Sequence, residues 1–321
     1  MRNLIHRVCT AIITVYILAI PALAAEELIP VGEVIGLELS SGTVTVAGYD
    51  DACSLARDAG LRIGDTLISI DDRRITCAED VRQALQTSDG SVDLLVNRNG
   101  KKLSVHMEPA ITPDGPKLGV YLRQGVTGIG TVTFFDPESG LFGTLGHGVN
   151  TGDGDLLAMT EGRAFPAEIV SIQKGKAGSP GQLKGALDGN RITGILRKNT
   201  SRGVFGSAPA GWQGTALPVA DWEDISPGSA TIRCAVVGAA PRDYSVEILK
   251  IYSKDRSDSR NFLLRVTDPD LLAATGGIVQ GMSGSPIIQN GKLVGAVTHV
   301  LVNDPQTGYG IFIENMLDAA S

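Results

Sequence analysis

Gly281-Met282-Ser283-Gly284-Ser285-Pro286-Ile287-Ile288, then the turn Asn290-Gly291-Lys292, the run Leu293-Val294-Gly295-Ala296-Val297-Thr298-His299 and later Gly308-Tyr309-Gly310-Ile311-Phe312, is the stretch that decides the fold. A serine hydroxyl is a weak nucleophile unless a tight turn holds it beside a base. Glycines flanking Ser283 let the backbone bend so that the N–H groups of Gly281 and Ser283 face one point. A tetrahedral oxyanion would develop there, and each such donor is worth about 3 kcal/mol of barrier. Beyond this turn, short apolar strands alternate with tight turns, and helical spacing appears only from Glu314 to Ala320.

Such a serine needs a base, most often a histidine. Of the four histidines, His6 falls in an apolar leader and His106 on an N-terminal strand, which leaves His147 and His299. His147 stands in Gly143-Thr144-Leu145-Gly146-His147-Gly148-Val149, a glycine-flanked corner well upstream of Ser283. That placement suits a base on one barrel and a nucleophile on the next. The order of nucleophile turn, hairpin, strand, Gly-containing strand and final helix resembles the C-terminal barrel of chymotrypsin-like serine peptidases. The resemblance implies Ser283 rather than Ser285 as nucleophile, His147 as base, and Thr298 and His299 along the substrate. It also implies an Asp orienting the base. Asp188 has the expected sequence placement. Asp268 lies close before Ser283, and Asp268-Pro269 ahead of a helical run also reads as a helix N-cap with proline at the first position.

The chain begins with Arg2 and Arg7, an apolar run from Val8 to Pro21, and Ala22-Leu23-Ala24 before Glu26-Glu27. This reads as a secretory signal or an N-terminal membrane anchor over residues 1–24, so the working part lies outside the cytoplasm. Removing these residues takes two Arg and no acid, moving the formal charge from −7 to −9. An acidic protein argues against nucleic acid as a partner. Cys53, Cys77 and Cys234 remain, an odd number and no disulfide framework; Cys53 and Cys77 are either paired or free.

Between Val31 and about Glu108, Val34 to Leu39 reads as a strand and Ala52 to Ala59 as a short helix. Ala59-Gly60-Leu61-Arg62-Ile63-Gly64-Asp65 leads into the strand Thr66 to Asp71, and Cys77 to Gln86 has helical spacing with Val81 and Leu85 apolar. Asn99-Gly100 joins two strands as a hairpin. This segment resembles a PDZ domain. The resemblance implies that the loop before Gly36-Leu37 binds a peptide carboxylate, and that the peptide adds as a strand beside Leu37 to Leu39 facing the helix bearing Val81 and Leu85, so that Ile35, Gly36, Leu37, Val81 and Leu85 form the groove. Ile111-Thr112-Pro113-Asp114-Gly115-Pro116 reads as a linker. With 40 Gly among 321 residues and many short strands, the expected fold is mainly β. An N-terminal PDZ-like α+β domain over 25–110 precedes a chymotrypsin-like double β-barrel over 111–321.

Beyond the barrel pattern, Thr267-Asp268-Pro269, the run Thr275 to Lys292, Val302-Asn303-Asp304-Pro305, the His147 corner and Gly128-Ile129-Gly130-Thr131 together resemble the stage IV sporulation protein B peptidase family. That resemblance implies catalysis by the residues matching His147 and Ser283, with Asp268 as triad acid. It implies self-cleavage, export to the space between the two membranes of the developing spore, and a membrane-bound regulatory protein as substrate. That regulator restrains an intramembrane metalloprotease, whose release leads to processing of a late sporulation sigma factor. Nothing in the sequence suggests a metal site or a cofactor. Two other readings stand beside this one, a non-catalytic PDZ-led adaptor and a general quality-control peptidase.

Overall fold

Alternating Val, Ile, Leu and Thr between glycine turns builds strands with one buried face, and here these close into two barrels. The computed structural model describes residues 27–50, 55–152, 154–236, 240–256 and 258–321. The C-terminal barrel is closed by six strands in the order Gly228–Cys234, Arg242–Ile251, Phe262–Val266, Asp304–Phe312, Lys292–Leu301 and Pro286–Gln289. Its core holds Ile232, Val246, Ile248, Phe262, Leu264, Ile287, Val294, Val297 and Phe312, all nearly inaccessible to solvent. The helix Ile313–Ala320 ends the chain and seats Ile313 and Met316 between the barrels with Phe134 and Phe205.

The other barrel belongs to a nine-stranded sheet running Leu141–Thr144, Gly203–Ser207, Gly194–Thr200, Glu161–Gln173, Val34–Ser40, Val126–Phe135, Glu27–Pro30 and Leu217–Pro218, with Gln182–Leu187 added beside Glu161–Gln173. A further pairing of Val126–Phe135 with Leu141–Thr144 joins the ends of the six-strand path and closes it.

Val34–Ser40 is therefore a central barrel strand. It pairs with Val126–Phe135 on one side, Ile35 opposite Gly130 and Leu37 opposite Gly128, and with Glu161–Gln173 on the other. The expected assignment of this segment to the PDZ domain, and with it the division at residue 110, is corrected. The PDZ sheet runs Val120–Arg123, Val44–Tyr49, Thr66–Ile70, Val92–Arg98 and Lys101–Met107, with Arg73–Arg74 beside Thr66–Ile70. It is thus inserted between two neighbouring strands of the first barrel. Nor is the Pro/Gly cluster a linker: Ala110–Thr112 and Gly115–Lys117 form a small hairpin whose second strand lies against the helix Ala78–Thr87. Alternating residues mark a strand but do not name its partner, which is a long-range choice.

Within the PDZ sheet the Gly60-to-Asp65 turn is tied by Asp65. It accepts the Arg62 N–H at 2.8 Å and a two-pronged Arg98 contact at 2.7 Å, while Arg98 also reaches the Gly60 carbonyl. Asp65 is fully buried, and its pairing with Arg98 satisfies a charge that would otherwise be costly inside the domain. Residues 1–26, and so the expected leader, lie outside the described residues. So does Cys53; Cys77 and Cys234 carry free thiols.

Candidate active site

The two barrels meet along a cleft of about 590 Å³ whose lining includes both His147 and Ser283. Ser283 sits at the mouth of the turn leading into Pro286–Gln289. Gly284 has φ +96°, and a Cβ there would stand 2.0 Å from the Thr131 carbonyl, so only glycine lets the two barrels approach this closely. The turn is fixed by the Met282 N–H to Val279 O (3.1 Å), the Gly284 N–H to Val297 O (2.8 Å) and the Ser285 N–H to Met282 O (2.9 Å). Among the described hydrogen bonds, none is donated by the Gly281 or Ser283 N–H. Ser285 is fully buried, its hydroxyl has no partner among the described residues, and it does not line the cleft, whereas Ser283 does.

His147 is carried at the end of Leu141–Thr144 by a corner in which Leu145 (φ +69°) and Gly146 (φ +68°) are both left-handed. A buried leucine in that conformation is strained, and such strain persists only where the surroundings over-determine it. The Leu145 N–H reaches Thr131 O, and the Leu145 side chain lines the cleft. His147 Nδ1 lies 2.9 Å from its neighbour's carbonyl, Gly148 O. A carbonyl can only accept, so Nδ1 carries the proton and Nε2 keeps its lone pair, the tautomer a general base requires. Burial pushes the imidazole below the ordinary histidine value, with the Gly148 bond opposing, so the ring is neutral at pH 7.

His299 stands beside it, ring centres 5.2 Å apart. Burial, and then His147 and Arg260, push His299 down to about 4. Its Nδ1 is buried without a hydrogen-bond partner among the described residues. Thr298 is buried, and its carbonyl accepts the Ser283 hydroxyl at 2.8 Å while its own hydroxyl donates to Ser259 O. The serine hydroxyl in this structure therefore points to Thr298 O.

Asp268 is not brought to the base. Its Oδ1 accepts the N–H groups of Asp270 and Leu271 (3.0 and 3.1 Å), capping the helix Pro269–Thr275, and its Oδ2 accepts the Ser245 N–H. The expected triad role gives way to the cap because short-range geometry places the carboxylate over the first turn of its own helix. Asp188 likewise accepts from Asn190 N in its own exposed turn. The orienting acceptor on His147 is backbone.

Of the expected peptide-binding residues of the PDZ domain, Val81 and Leu85 line a groove of about 190 Å³. The facing strand is Val120–Arg123, entered through Lys117-Leu118-Gly119, and not Ile35, Gly36 and Leu37. Those three lie in the barrel, where Leu37, with Leu39, forms part of the catalytic-cleft wall. Sequence reading also missed Asn199. Its side chain accepts the Val149 N–H (2.9 Å) and donates to Val149 O and Leu157 O, clamping the loop after His147. An Asn at the end of a strand gives no sign of this long-range clamp.

The cleft wall is aliphatic, with Leu37, Leu39, Val126, Ile129, Val279 and Val300 among its residues, and no Asp, Glu, Lys or Arg among the described residues that line it. Fold and site together define the class: a double β-barrel of the chymotrypsin-like serine peptidase type carrying a PDZ domain in one of its hairpins. A family model for SpoIVB peptidase S55 matches residues 115–317, and a PDZ model matches 51–98. The chain belongs to the SpoIVB peptidase S55 family. A curated protein of Agrobacterium fabrum described as "Putative zinc metalloprotease Atu1380" is 34% identical over 90 residues, which cover 28% of this chain and 23% of that protein. The chain thus matches about a quarter of that relative's length. Among solved structures, an inactive form of the Rv3671c protease aligns at 13% identity and TM-score 0.36, covering 60% of this chain and 82% of the other. The HtrA-type protease AlgW with a decapeptide aligns at 14% identity and TM-score 0.38, covering 65% and 57%.

Proposed function

We propose that this protein is a serine endopeptidase in which Ser283 attacks the substrate carbonyl and His147 acts as general base and then general acid. The observation that carries the reading is the convergence of Ser283 and a neutral, Nδ1-protonated His147 on one cleft. In the reaction the Ser283 hydroxyl turns from Thr298 O to His147 Nε2 and gives up its proton as its oxygen bonds the carbonyl carbon. The oxyanion is received by the N–H groups of Gly281 and Ser283. His147 returns the proton to the leaving amine, the C–N bond breaks, and water hydrolyses the acyl-serine through the same histidine. With Gly148 O in place of a carboxylate, the site works as a Ser–His dyad whose base is oriented by backbone.

The family reading supplies the biology. The enzyme is exported across the cytoplasmic membrane into the space between the two membranes of the developing spore, secreted or anchored by its N-terminus. It cleaves itself and then a membrane-bound regulator of an intramembrane metalloprotease, which leads to processing of a sporulation sigma factor. The PDZ groove between Val120–Arg123 and Val81 and Leu85 holds a peptide segment of the substrate or of a second copy. The uncharged cleft wall suits an apolar segment at the scissile bond. The adaptor reading has one observation in its favour, the Ser283 hydroxyl bound to Thr298 O. A serine-directed fluorophosphonate probe, combined with mass spectrometry of purified protein, separates the two. A peptidase labels at Ser283 and fragments, and Ser283→Ala and His147→Ala each abolish both. Absence of labelling in the wild type rules out the peptidase reading.

A further inference from the structure

We infer that Thr131 is a positioning residue that locks the nucleophile turn in its oxyanion-binding arrangement and sets its distance from the base. Thr131 is fully buried on the Val126–Phe135 strand of the first barrel. Its backbone N–H donates to Ser283 O at 2.9 Å, and its hydroxyl donates to Gly281 O at 2.8 Å. Its own carbonyl accepts the Thr144 hydroxyl at 2.6 Å and the Leu145 N–H at 3.4 Å. One residue thus holds carbonyls on both sides of Met282 in one barrel and the strained corner leading to His147 in the other.

The need for such a lock arises from the glycine at position 281. A peptide plane next to glycine can turn over with little backbone strain, and Gly281 sits at φ +100°. Fixing Gly281 O and Ser283 O fixes the planes on either side of the Met282–Ser283 peptide, whose N–H is one of the two oxyanion donors. The backbone bond to Ser283 O is available to any residue at 131, but the bond to Gly281 O requires a hydroxyl. Without it, the Gly281–Met282 peptide is held only through the Met282 N–H to Val279 O, and its carbonyl end loses the one described contact that fixes the plane from the other side.

This inference rests on the proposed peptidase activity, and the test separates them. Full-chain wild type, Thr131→Val and Thr131→Ser are compared for the maximal rate of fluorophosphonate acylation at Ser283, the half-saturating probe concentration, and the thermal midpoint. Valine keeps shape and backbone N–H and should slow the maximal rate at least tenfold, with half-saturation changed by no more than about twofold. Serine restores the hydroxyl and should recover the rate to within about threefold of wild type, a rescue a purely structural role would not give. If valine does not fold, Thr131→Cys, a weak donor of similar size, should fall below serine in rate. Valine matching wild type, or serine and cysteine no different from each other, overturns the inference. Wild type that fails to label at Ser283 removes the activity and this inference with it, whereas labelled wild type equalled by Thr131→Val removes this inference alone.

Discussion

Replacing Asp268 tests directly whether the carboxylate close before the nucleophile serves the chemistry or the fold. Its two oxygens accept three backbone N–H groups, from Asp270, Leu271 and Ser245. Alanine removes all three bonds. Loss of an N-cap costs about 1 kcal/mol, within roughly 0.5–2, and the Ser245 bond adds about 1 kcal/mol for a partly exposed neutral donor. A total near 2 kcal/mol lowers the thermal midpoint by about 4–8 °C for a domain of this size. Asparagine keeps an acceptor over the helix N-terminus and presents an NH2 group to Ser245 N, so it loses only that last bond, about 1 kcal/mol. Neither change touches His147, whose Nδ1 is held by Gly148 O. Acylation at Ser283 should therefore stay within about twofold of wild type for Asp268→Asn, against the roughly 10⁴-fold fall expected for a triad Asp changed to Asn. The assay pairs calorimetry with the rate of fluorophosphonate labelling. A loss of a thousandfold or more in Asp268→Asn at an unchanged midpoint refutes the cap reading and restores Asp268 to the site.

Because burial holds His147 below 6.5, the acid limb of the labelling rate should fall at a pH below that of an exposed histidine, and a limb at or above 6.5 counts against the buried geometry. The same burial bears on stability: His299 has a folded value near 4 against 6.5 unfolded, so its contribution is present above 6.5 and lost as pH falls towards 4, visible as a falling thermal midpoint across that window. Asn199→Ala frees Val149 N–H and two carbonyls behind the base and should cut the maximal labelling rate by about tenfold with a loss of a few degrees in midpoint, measured in the same assay. Lys117→Glu, at the entrance to the PDZ groove, should weaken binding of a peptide with a free C-terminal carboxylate by about tenfold while leaving its amidated form unaffected, as read by calorimetric titration.

What the sequence displayed well was local. The Ser283 turn, the Asn290-Gly291 hairpin and the His147 corner depend on glycines and neighbours a few residues away, and each is where its spacing puts it. The Asp268-Pro269 cap was equally local. The misplacements were all long-range. Val34-Ile35-Gly36-Leu37-Glu38-Leu39 alternates as a strand should, yet the choice between a PDZ edge and the barrel is made by Gly128–Thr131 and Ala164–Pro166, far along the chain. The Ile111–Pro116 cluster carries turn residues, but whether a turn links domains or folds back as a hairpin depends on the helix beneath it. Thr131 and Asn199 act through hydrogen bonds to backbone groups distant in sequence, and a hydroxyl or amide in a strand gives no local sign of its acceptor.

The inserted topology has a mechanical consequence that a PDZ domain on an end linker would lack. Its two attachments leave from Leu39 and enter at Val126, residues that face each other across a barrel ladder and both line the catalytic cleft. Closing so short a gap costs the barrel little entropy, which is why a domain can be accommodated there at all. The return passage is tight: Gly125, at φ +77°, would place a Cβ 1.9 Å from Leu39 O. The groove strand Val120–Arg123 is thus separated by only Gln124 and Gly125 from the strand that carries Thr131. On the proposed function, peptide recognition and the nucleophile turn share one length of backbone. A domain so held has two short, paired tethers limiting its orientation to the cleft, and under the proposed function a substrate bound in the groove would be presented to Ser283 from a restricted set of directions.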